Sequence, residues 1–303
     1  MIPELRSEEL RRAIDDAASR KPNRLAELLG RHGGQPGPRP NLTLAQAVGD
    51  TLAQRSAREA THVLAPFAAD DSAPDKPAVF LPMVAAWGYV ALVREKKGEN
   101  EAWARLAELG ADERAPVRVA TMHALASLAS RDPRGGDLLV GAMASWLGRD
   151  GFPLEPRDLR WGALATNLDA IAELGALTTV KDRGALLALV SEWITELADA
   201  PRAAERSDAR RRSLASLTVA AALFVKEVRG AADGASWLEA EHARARHPDL
   251  RRAFAGSLER LGKHGSSQRR EVLDRLESAL ASSAKPPRDP TLERKGTRRR
   301  GRR

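Results

Sequence analysis

Cysteine is missing from all 303 residues. That excludes disulfides, thiolate nucleophiles, Cys-ligated zinc and iron–sulfur clusters. Aromatic residues are scarce at 4%, with a single tyrosine, Tyr89, and runs of β-branched residues are absent, so there is little to build strands from. The apolar stretches read as falling short of a membrane span. No basic-then-apolar leader opens the chain, because Met1-Ile2-Pro3-Glu4-Leu5-Arg6 runs straight into charge. The expected compartment is the cytoplasm. Gly-x-Gly-x-x-Gly, P-loop, Gly-x-Ser-x-Gly, His-x-Glu and His-Glu-x-x-His patterns are also missing. Their absence removes the common phosphate cradles and the zinc and serine hydrolase signatures, and no cofactor is expected.

What is present is a foldable composition, 43% hydrophobic and 30% charged, with enough apolar material for a sizeable core. The net charge of +8 points toward nucleic acid, but its distribution moves that reading to one end. Residues 285–303 hold nine basic and two acidic side chains, which leaves +1 for residues 1–284. Pro286, Pro287 and Pro290 oppose regular structure there, and Leu292 is the only large apolar side chain. Such a tail is expected to be disordered. Its residues Arg294, Lys295, Arg298, Arg299, Arg300, Arg302 and Arg303 are expected to bind nucleic acid or another polyanion through counterion release.

Ala, Leu, Arg and Glu dominate the body, and apolar residues recur at helical spacing, as in Leu214, Leu217, Ala221, Phe224 and Val228. Pro, Gly, Asp and Ser punctuation predicts about thirteen helices. Three cover 4–19, 23–32 and 42–68. Five pairs follow: 78–95 with 100–110, 115–130 with 136–148, 156–175 with 182–198, 206–229 with 233–246, and 248–263 with 267–283. Similar heads open four pairs: Pro116-Val117-Arg118, Arg157-Asp158-Leu159-Arg160, Asp208-Ala209-Arg210-Arg211 and Pro248-Asp249-Leu250-Arg251. Arg118, Arg160, Arg211 and Arg251 lie about 40 to 50 residues apart, and helix pairs at that period are the HEAT/armadillo signature.

On these residues, and above all on Ala115 to Leu128, the chain resembles HEAT-repeat proteins. The likeness is good over 111–148, fair over 153–283, weaker over 74–110 and absent from 1–70. It implies an all-α fold: an α-solenoid of about five HEAT-like helix pairs over 71–283, an N-terminal helical cap over 1–70 and the basic tail over 284–303. It also implies a non-catalytic interaction or scaffold role with a protein partner and no membrane. Asp112 and Glu113, Asp158, Asp208 and Asp249 accompany the head arginines and are expected to ladder with them between repeats. The alternative is a basic edge of Arg210, Arg211, Arg212, Arg251 and Arg252, since cations at a helix start oppose the macrodipole.

Three further features of the chain bear on function. The loop Gly33 to Asn41 holds three prolines and three glycines and is expected to turn the chain, with Asn41 or Thr43 capping the next helix. Its Pro-Gly-Pro-Arg-Pro-Asn-Leu stretch is similar to one in bacterial HEAT-like proteins of unknown role. Two Glu-x-x-His motifs, Glu59 with His62 and Glu239 with His242, have di-iron spacing. They lie far apart, and Arg55 stands ready to pair with Glu59, so no metal site is expected. The six tryptophans, Trp87, Trp103, Trp146, Trp161, Trp193 and Trp237, are expected to pack between helices. The alternative is suggested by a resemblance to HEAT-like alkylpurine DNA glycosylases, which cradle a cationic base between tryptophans and a carboxylate. It would use Asp158 and Trp161, with Asp169 fitting less well.

Overall fold

The computed structural model describes residues 7–262 apart from 20, 22, 38, 174 and 202, together with 274 and 278. Among the described residues there are thirteen α-helices and no strand. They are α1 (Ser7–Ala18), α2 (Asn23–His32), α3 (Leu42–Ala53), α4 (Ala57–Ala68), α5 (Phe80–Arg94), α6 (Glu99–Ala111) and α7 (Ala115–Arg131). Then come α8 (Gly135–Trp146), α9 (Arg157–Ala172), α10 (Arg183–Ala198), α11 (Asp208–Glu227), α12 (Gly234–Arg244) and α13 (Pro248–Gly262). Short 3-10 turns sit at Pro77–Val79 and Ala176–Thr179.

Helix starts follow capping chemistry. The side chains of Asn41, Ser56, Asp182, Ser207 and Asp233 accept backbone N–H groups at the starts of α3, α4, α10, α11 and α12. The loop before α3 is a closed joint. The Asn41 side chain accepts from the Leu44 amide at 3.1 Å and donates to the His32 carbonyl at 3.2 Å. Its backbone N–H reaches the Gly33 carbonyl at 2.8 Å. Gly33 has no room for a side chain, because a Cβ there would fall 2.4 Å from the Phe80 ring.

One expected helix is two. The run over 42–68 breaks at Gln54-Arg55-Ser56, where Ser56 turns extended and forms a reciprocal capping box with Glu59. Of the expected helix over 267–283 only Asp274 and Ser278 are described, both helical, and the basic tail lies outside the described residues. The split changes the organisation at the N-terminal end. The odd-numbered helices pack successively on one another, α3 on α5, α5 on α7, α7 on α9, α9 on α11 and α11 on α13. The α3–α5 interface is the most extensive of these, so α3 continues the same stack. Polar bonds between elements repeat the spacing seen in the sequence. Arg94 to Asp50, Arg149 to Glu192, Arg210 to Asp249 and Ser191 to Glu241 join residues 39 to 50 apart.

Two helices are enclosed. Every residue from Phe80 to Val93 in α5 is buried, and α9 buries Arg160 to Leu168 without a gap. The segment Pro77–Arg94 is in fact long and apolar enough to cross a membrane, which corrects the sequence reading, but 83% of it is buried inside the protein. Enclosure requires close backbones. A Cβ on Gly49 would stand 2.7 Å from the Gly88 amide nitrogen and the Trp87 carbonyl carbon, and one on Gly88 would strike Leu64.

Two predictions follow from this packing. Gly49→Ala should lower stability by about 2 kcal/mol in denaturant titration despite the better helix propensity of alanine, because backbone has nowhere to retreat. The second concerns Tyr89, whose hydroxyl is buried without a partner. Burial pushes this phenol up to about 12. Its protonated state therefore favours the fold fully below the ordinary value near 10, and that stability falls away as pH rises from about 10 to about 12. Because the chain has one tyrosine, absorbance at 295 nm reads this group alone. Tyr89→Phe should hold or raise the melting temperature and remove that alkaline loss.

Candidate functional site

The starts of α7, α9 and α13 share an arginine clasp. The fourth residue of α7, Arg118, donates through Nη1 to the carbonyls of Asp112 at 2.7 Å and Glu113 at 2.6 Å. The fourth residue of α9, Arg160, donates to the Leu154 carbonyl at 2.5 Å, and that of α13, Arg251, to the Ala245 carbonyl at 2.7 Å. Each reaches back six residues and ties the helix start to the loop that delivers it. In α11 the inward residue is Arg210, not the Arg211 aligned from sequence. Arg210 is 1% exposed and bonds Asp249 at 2.9 Å and the Leu197 carbonyl at 3.4 Å. Ser207 caps α11 and turns the third residue inward, while Arg211 meets only Asp208 at the surface.

The expected acid–arginine ladder is real at Arg210–Asp249 and takes other forms elsewhere. Arg160 pairs with Glu196 at 2.5 Å and Glu155 at 3.1 Å rather than with Asp158. The basic edge does not form. Arg210 is buried against Asp249, Arg211 is paired with Asp208, Arg252 with Asp249, and Arg251 is spent on a carbonyl. Arg251 and Arg212 meet no carboxylate in a salt bridge among the described residues, and of the two only Arg212 is left with buried donors unmatched.

Arg212 opens on a groove of about 1010 Å³. Its walls are the C-terminal ends of α4 and α6 and the N-terminal ends of α7, α9 and α11. Asp112 is held there by Arg114 at 2.7 Å, a bond that raises the Arg114 guanidinium above its ordinary value. Asp208 is held by Arg211, whose hydrogen bond keeps its carboxyl low. Asp71, Glu113 and Asp158 form no salt bridge among the described residues, nor does Arg118. Burial, with Arg118 close by, lowers Arg212 below the usual guanidinium value. Its Nε and Nη1 are buried without acceptors, and only Nη2 has one, the Ala111 carbonyl at 3.4 Å.

Asp158 and Trp161 are not brought together. Asp158 is exposed on the groove. Trp161 is 0% exposed, donates from Nε1 to Glu196 at 3.0 Å and has the Arg157 guanidinium 5.7 Å from its ring centre. No base can stack on it. Asp169 is half-buried on α9 beside Ser216, and burial pushes its carboxyl up. Trp237 donates to Ser191 at 2.9 Å, whereas the indole nitrogens of Trp87 and Trp193 are buried without partners. Glu59 serves its capping box, and Arg55 pairs with Asp15 instead. His62 is exposed and His242 is buried against Phe254. Among the described residues no group of three or more His, Asp or Glu side chains is placed to hold a metal. The seven basic tail residues lie outside the described residues.

Sequence reasoning missed a second hollow of about 500 Å³ between α6 and α8. Trp103 and Trp146 meet edge to face in it, beside Phe152, which is 98% exposed. The glycines flanking that loop, Gly148 and Gly151, were its only signal. Comparisons with protein-family models, curated proteins and solved structures found no match.

Arg160 holds the α9 start against α10 with bonds to Glu196, Glu155 and Leu154. Arg160→Met should cost about 3 kcal/mol in denaturant titration, because it strands Glu196 beside Trp161. The double variant Arg160→Met with Glu196→Gln should recover part of that loss.

Proposed function

We propose that the chain is a non-catalytic helical-repeat interaction protein of HEAT type. Its groove takes a segment of a protein partner, and its Arg-rich C-terminal tail contacts nucleic acid or another polyanion. The observation that carries the groove reading is its unspent charge of both signs. Asp71, Glu113 and Asp158 stand open on one side of the balance and Arg118 and Arg212 on the other. A polypeptide offers amides and both charge signs, and so suits such a surface better than a uniformly charged polymer does. The successive packing of α3, α5, α7, α9, α11 and α13 supports the repeat reading, because each pair buries its apolar face only with neighbours. The glycosylase alternative has no observation in its favour, since Trp161 is sealed behind Glu196.

The two halves are tested separately. Duplex binding by the full chain should fall linearly on a log–log salt plot. Replacing Arg294, Lys295, Arg298, Arg299, Arg300, Arg302 and Arg303 with glutamine should reduce the slope by roughly 6. An unchanged slope would place the contact on the body instead. For the groove, peptides selected from a random display library against the full chain should lose binding when the exposed Ala73 becomes Trp. Peptides indifferent to that block would reject the groove as the docking surface.

A further inference from the structure

We propose that Arg118 and Arg212 form an oxyanion subsite within the groove, built to take a carboxylate or phosphate group. This rests on the groove being a binding surface and adds what it recognises. Three observations carry it. First, the two guanidiniums are near enough to perturb one another, yet neither forms a salt bridge among the described residues. Like charges held together with no carboxylate in salt-bridge contact are unfavourable in a partly desolvated site, and an anion between them offsets the repulsion.

Second, the donors are unspent. Arg118 is anchored through Nη1 alone, by the carbonyls of Asp112 and Glu113, which leaves Nε and Nη2 available. Arg212 has only the long Nη2 bond to Ala111, with Nε and Nη1 unmatched. A guanidinium's donors lie in one plane and suit a two-oxygen acceptor. Third, the seat is made for the arginine. Gly162 lies beneath it in the middle of α9, and a Cβ there would stand 3.1 Å from Nη2 and 2.8 Å from Ala111. Glycine in a helix interior is unfavourable, yet here it lets α6 and the Arg212 side chain settle together on α9.

The carboxylates facing Arg212 are Asp208, Asp112 and Asp158. Asp208 and Asp112 are already held by Arg211 and Arg114. Asp158 is the one open carboxylate among them, and it opposes an incoming anion. Its presence makes a bare inorganic ion a weak ligand, and gives a mixed-charge segment an advantage by letting its cation meet Asp158 while its anion meets the arginines.

The test is titration of the full chain with inorganic phosphate and, separately, with succinate at constant ionic strength, chloride being the comparator. Isothermal calorimetry is the readout. Phosphate or succinate should bind saturably above the chloride background, and whichever binds tighter identifies the oxyanion source. Arg212→Met and Arg118→Met should each weaken binding about tenfold or more, the effect of losing a charge-assisted bond. Asp158→Asn should tighten it several-fold, and this variant leaves the buried packing untouched. Arg212→Met should also keep or raise the melting temperature, which a structural arginine would not allow. Anions titrating no better than chloride, or binding unmoved by both Arg212→Met and Asp158→Asn, would overturn the subsite. Peptides that occupy the groove without competing with phosphate would sink the subsite alone. Phosphate that binds while no peptide enters would sink the partner reading alone.

Discussion

A helix enclosed by protein on every side sets the terms for everything around it. Backbones must come close enough to leave no void, and a polar group on the enclosed helix is costly unless it finds a partner inside, a cost borne at the Tyr89 hydroxyl and the Trp87 indole of α5. α5 meets the first demand through two glycines: Gly49 of α3 lets the α3 backbone press on the α5 backbone at Trp87-Gly88, and Gly88 makes room for the Leu64 side chain of α4. α9 meets the second. Thr166 donates to the Gly110 carbonyl at 2.6 Å, Asn167 to the Leu139 carbonyl at 2.8 Å, and Arg160 and Trp161 converge on Glu196. Those bonds tie α6, α8 and α10 to one central helix. Unsatisfied, any of them would cost more than it contributes when made, so they specify which neighbours can surround α9.

The clasped helix starts follow from the same stacking. Because α7, α9 and α11 begin at one end of the molecule, their loops arrive side by side, and each needs its backbone carbonyls satisfied. Arginine four residues into the helix supplies that bond from within the helix itself at α7, α9 and α13. The same alignment brings three amino-terminal dipole ends to one rim, with Asp112 and Glu113 just before α7 and Asp158 and Asp208 in the first turns of α9 and α11. The groove is therefore a product of the stacking. Its charge is dense because acids arrive with α7, α9 and α11, and uneven because arginines reach it only from α7 and α11 and are not matched to them one for one.

Helix content was legible because apolar spacing and capping residues are local signals. The shared helix heads were legible, since Pro116-Val117-Arg118 and Pro248-Asp249-Leu250-Arg251 each put an arginine two or three residues after a proline, and it falls fourth in both helices. Two things were not. Ser56 lies in a run whose composition favours helix throughout, and only the Ser56–Glu59 pair marks the break. Missing it made α3 and α4 one helix and hid their place in the stack. Which arginine of Arg210-Arg211-Arg212 turns inward was equally hidden, because it depends on where Ser207 starts the helix. Trp161 and Asp158 were read three apart on one helix, which gave them neighbouring positions. Glu196, distant in sequence, decides that the indole faces inward.

Most of the molecule is consistent from level to level: caps agree with helix starts, buried donors with carbonyls, acids with arginines. Arg212 breaks that consistency. Its two neighbours in sequence are fully used, one buried against Asp249 and one paired with Asp208. It alone lies partly desolvated beside another cation, on a glycine that a helix would not otherwise choose. Folding gains nothing from such an arrangement, and a hydrophobic residue would fill the same space at lower cost. Positions where a chain departs from its own local rules without a folding benefit are where a ligand's contribution is to be sought, and the groove beside Arg212 is open to receive one.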